Sequence, residues 1–85
     1  MRIRPMPAYE RMYERMPVRI QQLADKQLAL LASNPRHPSL DLKHRRGSEG
    51  IWTLRVTHDY RIVLRLTDGD AHLAAIGKHD VAERF

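Results

Sequence analysis

The sequence contains no cysteine, and this absence excludes several classes of protein. Disulfide-stapled scaffolds, thiolate metal sites and cysteine nucleophiles all need that residue. No apolar run approaches the ~20 residues of a membrane span, and the first residues lack the apolar stretch of a signal peptide. The five histidines lack paired metal-ligand spacing, and no glycine-rich phosphate loop is present. These absences predict a cytoplasmic protein without membrane contact, metal or cofactor.

The positive charge is present but unevenly distributed. Residues 1–85 are enough for a single domain with a small core. The net charge is +5, and the segment from Arg36 to Arg65 alone carries +4. A local basic stripe is typical of a polyanion binder. The alternative is a generally basic surface that serves solubility, but the clustering of the charge favours a ligand.

The first half of the chain predicts two helices. Pro17 suits the first turn of the second helix, which runs to about Ser33 because Asn34-Pro35 leaves helical geometry. A binding stripe is an alternative for the apolar residues of the first helix, but core is the commoner role at this spacing. That helix has apolar residues at i, i+3, i+4 and i+7, namely Tyr9, Met12, Tyr13 and Met16.

Two arginines are predicted to face each other across a β-hairpin. Residues 51–56 and 60–66 alternate with period two, and both apolar sets must enter one core. Arg55 therefore lies opposite Arg61 on the non-core face. Like charges in this position destabilise a sheet, whereas an anionic ligand would account for them, since the guanidinium fork suits phosphate. We expect Arg61 to be exposed, so that its truncation removes no core contact.

The remaining patterns complete a small sheet. Pro5 and Pro7 limit the N-terminus to a short edge strand, residues 41–44 begin another strand, and Asp68-Gly69 predicts a tight turn. The fold class is therefore α+β, with two N-terminal helices packed on one face of a small antiparallel β-sheet in the order β-α-α-β-β-β. The predicted register of the last two strands pairs Leu64 with Leu73, Ile62 with Ala75 and Arg61 with Ile76.

The open face of this sheet suits metal-free RNA cleavage. The RNA supplies its 2′-hydroxyl as nucleophile, so the protein must hold the phosphate and donate a proton to the leaving oxygen. Histidine, with an ordinary pKa of ~6.5, is a suitable donor. His79, predicted at the strand end beside Arg61, is the candidate, and a simply exposed residue is the alternative. Further RNA-binding candidates are His44, Arg45, Arg46, Arg65 and Lys78.

Four segments in order resemble the RelE/ParE superfamily of bacterial toxins from type II toxin–antitoxin systems: residues 34–40, 50–56, 59–63 and 76–80. The resemblance implies a small sheet with two helices on one face. RelE-type members are ribosome-dependent mRNA interferases that leave a 2′,3′-cyclic phosphate and a 5′-hydroxyl. ParE-type members share the fold and poison DNA gyrase. The implied partners are a cognate antitoxin, the ribosome and mRNA.

The resemblance also implies roles for single residues. Arg61 matches the family arginine that steadies the scissile phosphate, and Arg55 matches a basic strand residue of the active site. Lys43 and the basic loop after it match the region that grips ribosomal RNA, and Lys43 is a candidate base. His79 falls where family nucleases carry an arginine or histidine near the leaving group.

This chain also departs from the family at two positions. Thr53 replaces a second lysine of some members, and Phe85 replaces a tyrosine but has no hydroxyl. Three hypotheses therefore stand: a RelE-type mRNA endoribonuclease held inactive by an antitoxin, a ParE-like gyrase inhibitor, and an RNA- or ribosome-binding module without catalysis.

Overall fold

The computed structural model describes residues 1–84, apart from the side chain of Val81. These residues form one five-stranded sheet in the order β1-β5-β4-β3-β2. None of the helices in residues 1–84 has the length and apolarity to cross a membrane. The elements are β1 (Arg2–Pro5), α1 (Pro7–Glu14), α2 (Val18–Ser33), a 3-10 turn (Pro38–Leu40), β2 (Lys43–His44), β3 (Ile51–Arg55), β4 (Tyr60–Thr67), β5 (Asp70–Lys78) and α3 (His79–Ala82).

The predicted α+β class and the helix–helix–sheet order are confirmed, with one difference in strand direction. The first strand β1 is an edge strand, as its prolines predict, but it lies parallel to β5. The sheet is therefore mixed rather than antiparallel. A parallel pair needs a long crossover between its strands, and residues 6–69 provide it. A period-two pattern carries no information on strand direction, so the sequence could not distinguish the two arrangements.

The core lies between the two long helices and one face of the sheet. Both predicted helices are present, and Pro17 stands immediately before α2 as its N-cap residue. The stripe of α1 belongs to the core, as predicted, with Tyr9 buried and its neighbours packed against it. Burial of apolar area is the main driving force for this packing. The fully buried side chains of the core include Leu31, Leu40, Leu54, Ile62, Leu64, Leu73 and Ile76.

A β-bulge changes the predicted register of the last two strands. The strands pair as predicted up to Leu64, but Ala74 is an extra residue beyond that point. It inverts the alternation, so that Leu73 and Ile76 both reach the core although they are three residues apart. Strict alternation would have placed Ile76 on the open face. The predicted pairs Ile62–Ala75 and Arg61–Ile76 are therefore wrong; the observed pairs are Ile62–Ile76 and Arg61–Gly77.

Candidate functional site

A cleft opens on the face of the sheet that α1 and α2 leave uncovered. Its floor comes from β2, β3 and β4, and its wall is α3, where Ala82 packs on Val63 and Ala75. The hairpin register is as predicted, with Arg55 opposite Arg61. The cleft has a volume of about 240 Å³ and is lined by Lys43, His44, Arg45, Thr53, Arg61, His79, Ala82 and Glu83.

A single carboxylate resolves the repulsion between the two facing arginines. Oδ2 of Asp41 accepts a hydrogen bond from Nη2 of Arg55 at 2.9 Å and another from Nη2 of Arg61 at 2.5 Å. Nη1 of Arg61 also donates to the Asp41 carbonyl and to Oγ1 of Thr53, both at 3.3 Å. The anion that the facing arginines require is therefore supplied within the chain.

The expectation that Arg61 is exposed is wrong for this reason. Only 5% of its surface is accessible, whereas the Arg55 side chain is 47% exposed. A buried guanidinium needs a paired charge and satisfied donors, and Asp41 provides both. Truncation of Arg61 therefore removes a buried ion pair.

The backbone around Asp41 is held in an unusual conformation. Its φ of 44° lies in the left-handed region, which aspartate tolerates better than most residues. The side chain of Gln27, buried on α2, donates to the Ser39 carbonyl at 3.1 Å and to the Arg55 carbonyl at 2.8 Å. Gln27 thereby joins the 3-10 turn before Asp41 to the strand end that carries Arg55.

Charge in this cluster remains positive. The hydrogen bond from Arg61 is the main cause that holds the pKa of Asp41 below its ordinary value of 3.8; burial opposes this effect, and the charges of Lys43 and Arg55 add to it. Nζ of Lys43 lies 3.7 Å from Oδ2 of Asp41. Three cations thus surround one carboxylate, and the cluster keeps an excess of two positive charges for an anionic ligand.

His79 and Arg61 do line the same cleft, as their predicted proximity requires. His79 is the first residue of α3, and its N–H donates to the Asp59 carbonyl at 3.0 Å, which joins the hairpin loop to this helix. Its Nε2 lies 2.9 Å from Oε1 of Glu83, and both side chains are more than half exposed. Such an exposed pair adds little stability, but it orients the imidazole at the rim of the cleft.

Two further candidates line the cleft but have structural partners there. Nη2 of Arg45 donates to the Ala82 carbonyl and so fixes the end of α3 against the loop before β3. The ring of His44 packs edge-on against Trp52, with 5.1 Å between the ring centroids. Trp52 itself packs against the core cluster, as its parity predicts.

The remaining RNA-binding candidates lie outside the cleft. Arg65 pairs with His72 across the strands, but it lines a separate cavity and donates to the Glu49 carbonyl. Lys78 lines a neighbouring shallow cavity beside Asp59 and Asp80. Arg46 is exposed in the loop between β2 and β3. Phe85 lies outside the described residues.

Asp41 and Gln27 are the site residues that the sequence interpretation missed. The sequence offered one signal for Asp41: it is an acidic residue two positions before Lys43, in the segment that precedes the arginine hairpin. The only signal for Gln27 in the sequence was that it is a polar residue on an otherwise apolar helix face. Within residues 1–84, His, Asp and Glu form no group of three or more that could hold a metal ion.

The fold has close parallels among solved structures. The sequence matches no protein-family model and no curated protein. The structure, however, has the fold of the RelE/ParE superfamily toxins. The RelB–RelE antitoxin–toxin complex from Methanococcus jannaschii matches with a TM-score of 0.78, 13% identity and 95% coverage of both chains.

Two bacterial structures give the same result. The DinJ–YafQ toxin–antitoxin complex from E. coli matches with a TM-score of 0.77 and 19% identity, covering 93% of this chain and 92% of that one. A YoeB/ParE toxin from Agrobacterium tumefaciens matches with a TM-score of 0.75 and 18% identity over 93% and 99%. At these identities the likeness establishes the fold, and it confirms the architecture expected from the resemblance.

Proposed function

We propose that this protein is the toxin of a type II toxin–antitoxin system and that it cleaves mRNA on the ribosome. One observation carries the proposal: Lys43, Arg61 and His79 come from β2, β4 and α3 and line one cleft. Distant segments of the chain thus bring phosphate-binding cations and an imidazole together, which is what cleavage by the 2′-hydroxyl requires. The fold shared with RelE, YafQ and YoeB toxins adds support.

The reaction assigns one task to each of these groups. Arg55 binds the scissile phosphate, and the buried Arg61 beside it adds positive charge that stabilises the charge developing on the phosphate oxygens. The 2′-oxygen attacks phosphorus and gives its proton to a base, for which Lys43 is the candidate once its ammonium group has released a proton to solvent. The bond to the 5′-oxygen breaks, and His79 protonates that oxygen. The products are a 2′,3′-cyclic phosphate and a 5′-hydroxyl, so atoms and charge balance without a metal.

Asp41 shapes the first step of this reaction. In the free protein its carboxylate occupies the donors of Arg55 and Arg61. Arg55 is half exposed and turns to the phosphate at low cost, while the buried Arg61 keeps its contact with Thr53. Arg61 is therefore held in position before the substrate arrives, and such preorganisation is an effective route to transition-state stabilisation.

A cognate antitoxin and the ribosome with its mRNA are the proposed partners, and the cytoplasm is the proposed location. Neighbouring structures from Methanococcus jannaschii and E. coli are antitoxin–toxin complexes. Arg46, Arg65 and Lys78 lie exposed around the cleft. They are suited to contacts with the phosphates of ribosomal RNA beyond the scissile position.

The test uses one assay for each possible target, mRNA and DNA gyrase. Primer extension on translated mRNA should reveal discrete in-frame cuts after induction, and purified protein should leave gyrase supercoiling unchanged. Arg55→Ala should abolish the cuts, because Arg55 is a phosphate ligand whose truncation leaves the core intact. Arg19→Ala, an equal loss of charge on the exposed surface of α2, is the matched control. Loss of supercoiling without cuts would contradict the proposal and select the gyrase alternative.

A further inference from the structure

A second cavity lies at the opposite edge of the sheet from the cationic cleft. It has a volume of about 340 Å³ and is formed where α1 and α2 meet the end of β1, the edge strand farthest from β2. Nothing in the proposed cleavage reaction uses it. Its lining residues are Pro5, Tyr9, Glu10, Tyr13, Glu14 and Asp25.

The charge of this cavity is opposite to that of the protein as a whole. Three carboxylates line it in a chain of net charge +5. Within residues 1–84, none of these carboxylates belongs to an ion pair. They also do not converge as a metal site, since no metal-holding group of carboxylates exists in that range. The cavity therefore suits a cation larger than a dehydrated metal ion.

Tyr9, which also lines this cavity, has a buried hydroxyl without a partner within residues 1–84. Tyr9 is only 4% exposed, and its Oη has no hydrogen-bond partner among the described residues. The neighbouring Tyr13 hydroxyl, in contrast, lies 2.9 Å from each oxygen of Asp25. A buried polar atom without a partner is costly and calls for an explanation. A ligand with several N–H donors that displaces the Tyr13 hydroxyl from Asp25 would give hydrogen-bond partners to both the Asp25 carboxylate and the Tyr9 hydroxyl.

We infer that this cavity is a binding site for a guanidinium group, contributed by an arginine side chain of a partner protein. Guanidinium is planar and carries five donors, which match carboxylate oxygens and a tyrosine hydroxyl. The ring of Tyr13, which is partly exposed and has its centroid 5.9 Å from that of the buried Tyr9 ring, provides an aromatic surface for the guanidinium to contact. The acidic lining favours a basic segment of a partner protein, because the rest of the surface of this basic protein repels such a segment.

The site is independent of the proposed cleavage, and a small-molecule probe tests it without any activity assay. The probe is Nα-acetyl-arginine amide, followed by chemical shifts of the backbone amides of α1 and α2. Nα-acetyl-citrulline amide has nearly the same shape without the charge. We expect saturable shifts with the arginine probe and about tenfold weaker binding of citrulline, as loss of a charge-assisted hydrogen bond implies.

Matched variants separate the site from general electrostatics. Glu14→Gln removes an exposed cavity carboxylate and should weaken arginine binding several-fold, whereas Asp68→Asn removes an equal charge in a distant turn and should not. Tyr9→Phe should weaken binding and leave the melting temperature unchanged or higher, because it deletes a hydroxyl without a partner. Equal shifts by both probes, binding unaffected by Glu14→Gln, or a melting temperature lowered by Tyr9→Phe would each overturn the inference.

Discussion

Replacing Asp41 with asparagine should make the protein less stable and better at binding RNA. The substitution keeps the shape of the side chain and one acceptor oxygen, but it removes the charge that faces Arg55 and Arg61. Only 6% of the Arg61 side chain is exposed, so water cannot replace the lost anion there. Stability and affinity therefore move in opposite directions, which distinguishes this residue from an ordinary surface aspartate.

The expected loss of stability follows from the burial of Arg61. Breaking a fully buried ion pair costs about 3–5 kcal/mol. Asp41 itself is 26% exposed and asparagine retains a neutral hydrogen bond, so we expect about 2–3 kcal/mol. In a domain of this size each kcal/mol lowers the melting temperature by roughly 4–8 °C. The variant should therefore melt roughly 10–20 °C below the parent, and urea unfolding followed by the fluorescence of Trp52 gives the same free energy independently.

The gain in affinity follows from the cluster charge. Without the carboxylate, the surroundings of the bound phosphate change from three cations and one anion to three cations. At an effective dielectric near 20, unit charges a few ångströms apart interact by several kcal/mol, which solvent and salt reduce to about 1–2 kcal/mol at this partly open site. Single-stranded RNA should bind roughly tenfold more tightly, as measured by fluorescence anisotropy at fixed salt.

Asp68→Asn is the control, because it makes the same charge change in the exposed β4–β5 turn and preserves a turn-forming pair with Gly69. It should change the melting temperature and RNA affinity very little. If Asp41→Asn and Asp68→Asn behave alike in both assays, the charge of Asp41 does not hold the two arginines in place. An internal anion would then not explain how the facing charges are tolerated.

Acid stability gives an independent view of the same carboxylate. The pKa of Asp41 is lower in the folded protein than its ordinary value of 3.8. Its contribution is therefore complete above that value and is lost as the pH falls below it towards the folded pKa. The parent should lose stability in this acid range, and Asp41→Asn, already without the charge, should show a flatter decline there.

The remaining predictions address the cleft and its support. His79→Gln should reduce single-turnover mRNA cleavage by ~10²–10⁴-fold while ribosome affinity is unchanged; cleavage at the parental rate would remove His79 as the acid. Replacing Lys43 and Arg46 with glutamine should lower the salt dependence of RNA binding by ~0.7 per lost contact, and an unchanged slope would exclude them as phosphate contacts. Gln27→Leu should cost about 1–3 kcal/mol in urea unfolding and slow cleavage, because Ser39 and Arg55 lose their shared donor; unaltered cleavage would limit Gln27 to a structural role.

Most of the fold could be predicted because each element follows from a local pattern. The helices, the hairpin register and the turn at Gly69 all depend on spacing and turn chemistry within a few residues. The errors concern interactions between distant segments. The bulge at Ala74 exists because Leu73 and Ile76 must both reach the core. The parallel pairing of β1 depends on where the chain re-enters the sheet after the two helices.

Sequence patterns placed some of the residues of the candidate cleft but did not predict its electrostatics. Alternation correctly placed Arg55 opposite Arg61, and His79 does line the cleft with Arg61. The position of Asp41 could not follow from alternation alone, since its left-handed backbone and the 3-10 turn before it bring the carboxylate back towards the hairpin. The sequence analysis infers an anionic ligand between the arginines, whereas the anion that the structure shows there is the chain's own Asp41.

The internal anion changes how the two facing arginines are interpreted. Two like charges in a sheet need a counter-charge to fold, and they need access to phosphate to act on RNA. Asp41 meets the first requirement, and the exposure of Arg55 meets the second, because one arginine remains able to leave the carboxylate while the other stays buried. A clamp that held both guanidinium groups equally would stabilise the fold and block the ligand. The unequal burial of Arg55 and Arg61 is therefore the feature of this site that reconciles stability with the proposed phosphate binding.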